Sequence, residues 1–243
     1  MESSLLIALS RQTTLRREMT SVANNIANMN TQAYKGEKMM FVDHMVRSKS
    51  DDSIIGDKLS FVRDLAQYRD LTEGTMQETG NPLDVAIHGD GYFVVETPQG
   101  NRYTRNGHFQ LNNEGVVVNT EGNPVLTENG DKIETTPGNS RLEISRTGTI
   151  HTDDGPIGKL ALVEFKNPQE LLKVSNTMFS ANETGIQVEL PHVIQGTLEG
   201  SNVQPIIEMT RMIEVQRAYE SAKKLVEKED ERIKKATALL VDR

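Results

Sequence analysis

The five histidines of this 243-residue sequence, His44, His88, His108, His151 and His192, are the first place to look for chemistry. None stands four residues from another, the spacing that puts two ligands on one helix face, and none falls in a known metal motif. His88 is the strongest candidate, because Asp84 and Asp90 flank it. On a strand Asp84, Ala86 and His88 share one face, an arrangement suited to a divalent cation or to acid–base work. No third group completes such a site in the sequence, so the set reads as ordinary surface. Gly89-Asp90-Gly91 and Gly100 are turns rather than a phosphate loop, since no helix follows and no Gly-Lys-Ser/Thr is present. Asp153-Asp154 precedes Gly155-Pro156 and is a turn as well. With no cysteine there is no thiol nucleophile, thiolate metal site or disulfide framework.

The elements that would position these residues fall into three zones. From Glu2 to about Asn28 there is no Gly or Pro, and Leu5, Ala8, Gln12, Leu15, Met19, Val22 and Ile26 recur at alternating spacings of three and four. That is a heptad seam with one polar member, on a helix roughly 40 Å long. From Asn202 to about Leu240 a second seam runs through Met212, Val215, Tyr219, Ala222, Val226, Ile233, Ala236 and Leu240, interrupted by Glu229. Ser201 or Asn202 is expected to cap this helix, with Pro205 in its first turn. Its outer face carries the acid-before-base pairs Glu220–Lys224, Asp230–Lys234 and Glu231–Lys235. Met39-Met40, Met209 and Met212 read as core packing.

Between the helices, β-rich runs alternate with turns. Leu83–Ile87, Tyr92–Glu96, Arg102–Arg105, Val116–Asn119, Lys132–Thr135, Leu142–Ser145, Thr149–Thr152 and Lys159–Phe165 are expected strands. Asp90-Gly91, Asn106-Gly107, Glu114-Gly115, Asn129-Gly130 and Asp154-Gly155 punctuate them, where positive φ favours tight hairpins. Met39–Val46 reads as extended and Lys49–Gly56 as a polar loop. The expected fold is α+β: long N- and C-terminal helices paired as a coiled coil, with an antiparallel β domain inserted between them. The expected division is residues 1–35 for the first helix, 36–80 for an extended linker, 81–198 for the β domain and 199–243 for the last helix.

Composition excludes some functions. A net charge of −8 disfavours general nucleic-acid binding, which needs clustered Lys and Arg. Lys223-Lys224 and Lys234-Lys235 are interleaved with acids and read as a solvated face. No apolar run approaches the roughly 20 residues of a membrane helix, and the N-terminus does not read as a secretory signal. Aromatic residues make up only 5%, which points to small cores rather than one thick one.

Three passages are familiar. Ala23-Asn24-Asn25-Ile26-Ala27-Asn28 followed by Thr31-Gln32-Ala33-Tyr34-Lys35 is the first. Thr79-Gly80-Asn81-Pro82-Leu83-Asp84-Val85-Ala86-Ile87, then Gly89-Asp90-Gly91-Tyr92-Phe93 and Tyr103-Thr104-Arg105-Asn106-Gly107, is the second. Leu198-Glu199-Gly200-Ser201-Asn202-Val203, leading to Gln216-Arg217-Ala218-Tyr219-Glu220, is the third. In this order the sequence resembles the axial proteins of the bacterial flagellar rod and hook, and its short length and opening resemble the proximal-rod branch. The usually longer distal-rod branch is the near alternative. Ala33-Tyr34 stands where Gly-Phe is commoner, so the bend after the first helix is expected to differ. The charged stretch Lys223–Lys235 also departs from many relatives.

The resemblance implies a structural, non-enzymatic subunit without cofactor or metal. It implies a periplasm-spanning rod that self-assembles and transmits torque, with other proximal-rod proteins and the distal-rod protein as neighbours. It implies export by the flagellar type III apparatus without a cleaved signal peptide, and no direct membrane insertion. The assembly residues expected from the seams and the signatures are Leu5, Leu15, Met19, Val22, Asn24, Asn25, Ile26, Asn28, Asn202, Met212, Val215, Gln216, Tyr219, Val226, Ile233 and Leu240. A peptidoglycan hydrolase and a cytoplasmic export adaptor are the competing classes, separable by cell-wall cleavage and by location. Because long seams need partners, both termini are expected to be largely disordered in the free monomer. Circular dichroism of the purified monomer should then show far less helix than the two segments would supply, and full helix content would refute the idea.

Overall fold

The computed structural model describes residues 2–47, 58–135, 142–153 and 155–241; the side chains of 2–6, 41–47, 58–65, 236–237 and 239–241 lie outside that description. The chain divides into two compact units. Met1–Ala27, Glu37–Asp70 and Gln204–Arg243 form a helical unit, and Asn28–Gly36 with Leu71–Val203 form a β unit.

In the helical unit, α1 (Glu2–Ala27) and α2 (Pro205–Val241) lie against one another. They run in opposite directions: Gln12 Nε2 donates to Tyr219 Oη at 3.2 Å, Arg211 donates to Glu18 Oε1 at 3.0 and 3.1 Å, and Asn25 Nδ2 donates to Glu208 Oε2 at 3.3 Å. Ala8, Val22, Val215 and Ala222 are buried between them. The seam's polar interruptions thus have partners: Gln12 meets Tyr219, and Glu229 pairs with Arg232 at 2.9 Å on its own helix.

The helix boundary at residue 205 corrects one reading. Pro205 is the first helical residue, so the cap position falls on Gln204 rather than on Ser201 or Asn202. Asn202 is spent elsewhere: its Oδ1 accepts the Gly36 N–H at 2.8 Å, and its Nδ2 donates to Thr72 O at 3.1 Å.

The unit is completed by a long antiparallel ribbon, β1 (Glu37–Arg47) and β2 (Lys58–Arg69), with a register shift between Met40 and Phe41. A two-stranded ribbon is marginal in water by itself. This one is anchored at its first residue: Asn25 on α1 accepts the Glu37 N–H at 3.0 Å and donates to the Glu37 carbonyl at 2.9 Å, the way a neighbouring strand would. Ser21 Oγ donates to the same carbonyl at 3.1 Å. The polar stretch Lys49–Gly56, read as a loop, lies outside the described residues.

The β unit contains β3 (Met76–Glu78), β4 (Val85–His88), β5 (Tyr92–Thr97) and β6 (Gly100–Thr104). β5 and β6 form the centre of a six-stranded antiparallel sheet, flanked by Met178–Ser180 and Leu172–Lys173 on one side and Leu162–Glu164 and Ile186–Gln187 on the other. β4 pairs with His192–Gln195, and β3 pairs with Thr197–Glu199. Among the described residues the principal core holds fourteen that are buried, of which Val85, Ile87, Val95, Val117, Val125, Ile133, Ile150 and Val193 are β-branched. Such side chains suit a pleated surface, so few aromatics are needed to fill it. Phe93 and Phe109 meet edge to face at 5.2 Å within it.

Several expected strands shrink. Lys132–Thr135 contributes only isolated bridges, Leu126↔Lys132 and Val116↔Glu134. Val116–Asn119 reduces to Val117–Val118. Asn106-Gly107 is needed for a different reason from the one its sequence suggests. Gly107 has no positive φ; a Cβ there would lie 1.7 Å from the Val85 carbonyl oxygen, and its own carbonyl accepts the Val85 N–H at 3.0 Å. Among the described residues the non-glycine residue that takes a left-handed conformation is Ala33, at φ 56°, buried, with its N–H donating to Glu199 O at 2.8 Å. The bend expected to differ is therefore made, in a conformation that costs a non-glycine residue about 1 kcal/mol.

Gly107→Ala should lower stability by about 2–4 kcal/mol, since backbone meets backbone and β4 must move. Ala33→Gly should change it by less than about 1 kcal/mol, because strain relief and lost chain entropy oppose each other. Urea unfolding of both variants tests this contrast.

Candidate assembly interface

The three signature passages each contain one charged residue in their central motif: Lys35 in Thr31–Lys35, Arg105 in Tyr103–Gly107 and Glu199 in Leu198–Asn202. The β unit brings these three together. Lys35 Nζ lies 2.5 Å from Glu199 Oε1, and Arg105 Nε lies 2.8 Å from Glu199 Oε2. All three side chains are almost wholly removed from solvent. The remaining capacity is taken up. Lys35 also donates to Thr72 O at 2.7 Å, and Gly74 N–H donates to Glu199 Oε1 at 3.0 Å. Arg105 donates to the carbonyls of Ile87, Gly89 and Gly91 at 2.8–3.1 Å. A buried charge without partners costs several kcal/mol, so this set is stable only when complete.

Burial by itself would raise the Glu199 pKa, but Arg105, Lys35 and the Gly74 N–H outweigh it and hold the carboxyl below its ordinary value. On Lys35 burial is the largest influence and pulls the ammonium below its ordinary value, with Glu199 opposing. Of these residues the sequence reading named only their neighbour Asn202 as a site. The available signal was that the short motifs Thr31–Lys35, Tyr103–Gly107 and Leu198–Asn202 each hold one charge, two positive and one negative.

The expected assembly residues fall in several environments. Val22, Asn25 and Val215 are buried inside the chain's own fold. Leu15, Met19, Ile26, Met212, Tyr219 and Val226 are half-buried along the helix pair. Asn24 and Gln216 are exposed, and Ile233 is 39% exposed. Asn28 accepts from Thr31 Oγ1 at 3.1 Å and from Asn176 Nδ2 at 3.2 Å, just past the end of α1. Leu5 and Leu240 lie on the helices, with side chains outside the described residues.

The sequence reading missed a second apolar stripe on α2. Ile206 is 81% exposed, and Ile213 (52%) and Met209 (47%) continue the stripe at helical spacing, so Met209 is not a core residue. Near the other end of the pair, an open groove of 660 Å³ is lined by Ile7, Ala8, Ala218, Ala222 and Leu225. Both features are surfaces of the helical unit.

Asp84 does not pair with His88. It is buried, sits 2.6 Å from His108 Nδ1, and accepts from Thr79 Oγ1 and Asn81 Nδ2. Among the described residues no group of three or more His, Cys, Asp or Glu could hold a metal ion, and none of the helices is long and apolar enough to cross a membrane.

Comparison with known proteins gives one consistent answer. A family model described as flagella basal body rod protein matches residues 5–35. One described as flagellar hook protein FlgE/F/G D1 domain matches 86–152, and one described as flagellar basal body rod FlgEFG protein C-terminal matches 194–239. The chain is 38% identical over 230 residues to a flagellar basal-body rod protein FlgF of Caulobacter vibrioides, covering 93% of each. It is 34% identical to one of Mesorhizobium japonicum, covering 93% of this chain and 92% of the relative. A flagellar basal-body rod protein FlgG of Bacillus subtilis is 30% identical, over 94% of this chain and 95% of its own.

Glu199→Gln should destabilise the chain by about 3–5 kcal/mol near neutral pH, because it leaves two buried cations uncompensated. The pH dependence has a definite sign. A carboxyl whose pKa is lowered on folding contributes stability above its unfolded value and loses it as pH falls through the folded one. Thermal midpoints measured from pH 7 downward should therefore fall below the ordinary glutamate range in the parent and be flatter there in the variant.

Proposed function

Since the chain belongs to the flagellar basal-body rod protein family and is a structural rod subunit rather than an enzyme, we propose that it self-assembles with neighbouring rod subunits through its two terminal helices. The observation that carries this reading is the α2 stripe. The segments matched as rod protein at the two ends of the chain, 5–35 and 194–239, cover most of the two helices that meet in the helical unit. Their shared seam is used within the chain, while Ile206, Met209 and Ile213 stay exposed. Apolar residues at helical spacing on both sides of one helix suit a coiled coil that adds a further partner. A head-to-tail contact whose rotation does not close builds an open filament, as an axial rod requires.

The place proposed is the proximal rod, in keeping with 38% and 34% identity to two FlgF relatives against 29–32% to FlgG relatives. Its neighbours are then other proximal-rod proteins and the distal-rod protein. The subunit reaches its place through the flagellar type III export apparatus, without inserting in the membrane, and the assembled rod spans the periplasm and carries torque.

Mass spectrometry of purified hook–basal bodies should find the chain, and its deletion should remove the distal rod and hook; finding it only in the cytoplasm would overturn the proposal in favour of an export adaptor. Ile206→Asp combined with Ile213→Asp should abolish motility while leaving unfolding of the β unit unchanged within about 0.5 kcal/mol, as expected of exposed sites. Normal motility of that double variant would remove the stripe from the interface.

A further inference from the structure

His88, at the end of β4, stands directly opposite His192, the first residue of its partner strand. Directly opposed residues project from the same face of a sheet, with Cβ atoms about 4.5–5.5 Å apart. The two imidazole rings lie 5.3 Å apart between centroids, at 76° to each other. That separation fits a chelate. A metal bound about 2.0–2.1 Å from each nitrogen lies about 3.2 Å from each ring centroid, and a tetrahedral angle then sets the centroids about 5.2 Å apart. His88 makes one further contact: its Nδ1 lies 3.2 Å from Glu73 Oε2. A carboxylate near Nδ1 favours the proton on that nitrogen and leaves Nε2 available as the ligand, as is common for a metal-ligating histidine. Glu73 is itself fixed by the Gly89 N–H and lies 3.9 Å from Arg105.

We infer that His88 and His192 form a two-histidine site for a borderline divalent transition-metal ion such as Zn²⁺, with Glu73 as the residue that orients His88. Neutral imidazole suits Zn, Cu and Ni rather than Mg or Ca. No set of three protein ligands converges among the described residues, so water completes the coordination. Both rings are exposed, and rotation about the imidazole χ2 is broad, so the nitrogens can turn toward one ion without backbone movement. The site staples one end of the β4 pairing, between Ile87 and Gly89, whose carbonyls hold Arg105. Bound metal therefore stiffens the frame around the buried ion set and stabilises the folded state by mass action.

Isothermal titration of the full chain with ZnCl₂ in a non-chelating buffer should show one saturable site. His88→Ala and His192→Ala should each abolish it, Glu73→Gln should weaken it about tenfold, and His151→Ala, at an exposed position outside the pair, should leave it intact. Zn²⁺ should raise the thermal midpoint of the parent and not that of the His88→Ala, His192→Ala double variant. These positions are exposed, so the variants fold. A parent isotherm indistinguishable from that of the double variant, or a site lost with His151, overturns the inference.

Discussion

A single carboxylate buried between two cations is the constraint on which the β unit depends. Glu199 can be tolerated away from water only if Lys35, Arg105 and the Gly74 N–H all reach it. These groups come from positions 35, 74, 105 and 199, so no local stretch can satisfy the charge alone. Arg105 in turn requires the carbonyls of Ile87, Gly89 and Gly91, which fixes the turn between β4 and β5. The same residues border the places where the chain leaves the unit, after Gly36, before Leu71 and after Val203. Lys35 and Asn202 both bind Thr72, and Asn202 also binds the Gly36 N–H, so these three exits are tied to one another inside the β unit. Such a set adds little net stability over well-packed apolar residues, but it penalises every wrong register heavily.

The helical unit solves a related problem by other means. An apolar heptad seam sets the distance between two helices and leaves their register weakly determined, because a slip of seven residues restores most contacts. Gln12–Tyr219, Glu18–Arg211 and Asn25–Glu208 remove that freedom, since a slip would leave each of these polar groups unpaired. Asn25 also seats the first residue of β1, so one side chain sets both the helix register and the entry to the ribbon.

Much of this was legible in the sequence, and the division follows physical range. Both helices and their seams could be read because periodicity is local: α1 was expected over Glu2 to about Asn28 and spans Glu2–Ala27. Thr149–Thr152 was read to the residue for the same reason. Short strands such as Leu172–Lys173 or Ile186–Gln187 carry no alternation and exist only because a neighbour pairs with them. Ser201 and Asn202 looked like caps, because the sequence does not show that Asn202 is claimed by Gly36 and Thr72. Asp84 looked like a partner for His88 by strand spacing, but the chain folds His108 onto it instead. The ion set was hidden similarly, since no window of sequence contains two of its members.

The distribution of polar and apolar groups explains how such a chain serves as a building part. A catalytic site keeps reactive groups poised for substrate, with hydrogen-bonding capacity left over. Here the buried charges of the β unit use their capacity on one another and on the backbone, so their effect is to hold a single shape. What the helical unit leaves over is apolar: Ile206 is almost fully in water, and about half of Met209 and of Ile213 is uncovered. Exposed isoleucines on a helix that already has a filled seam are a standing cost in the lone subunit. In the assembly proposed above, another helix covering them would recover that cost, which places the favourable free energy of the proposed contact on the helices.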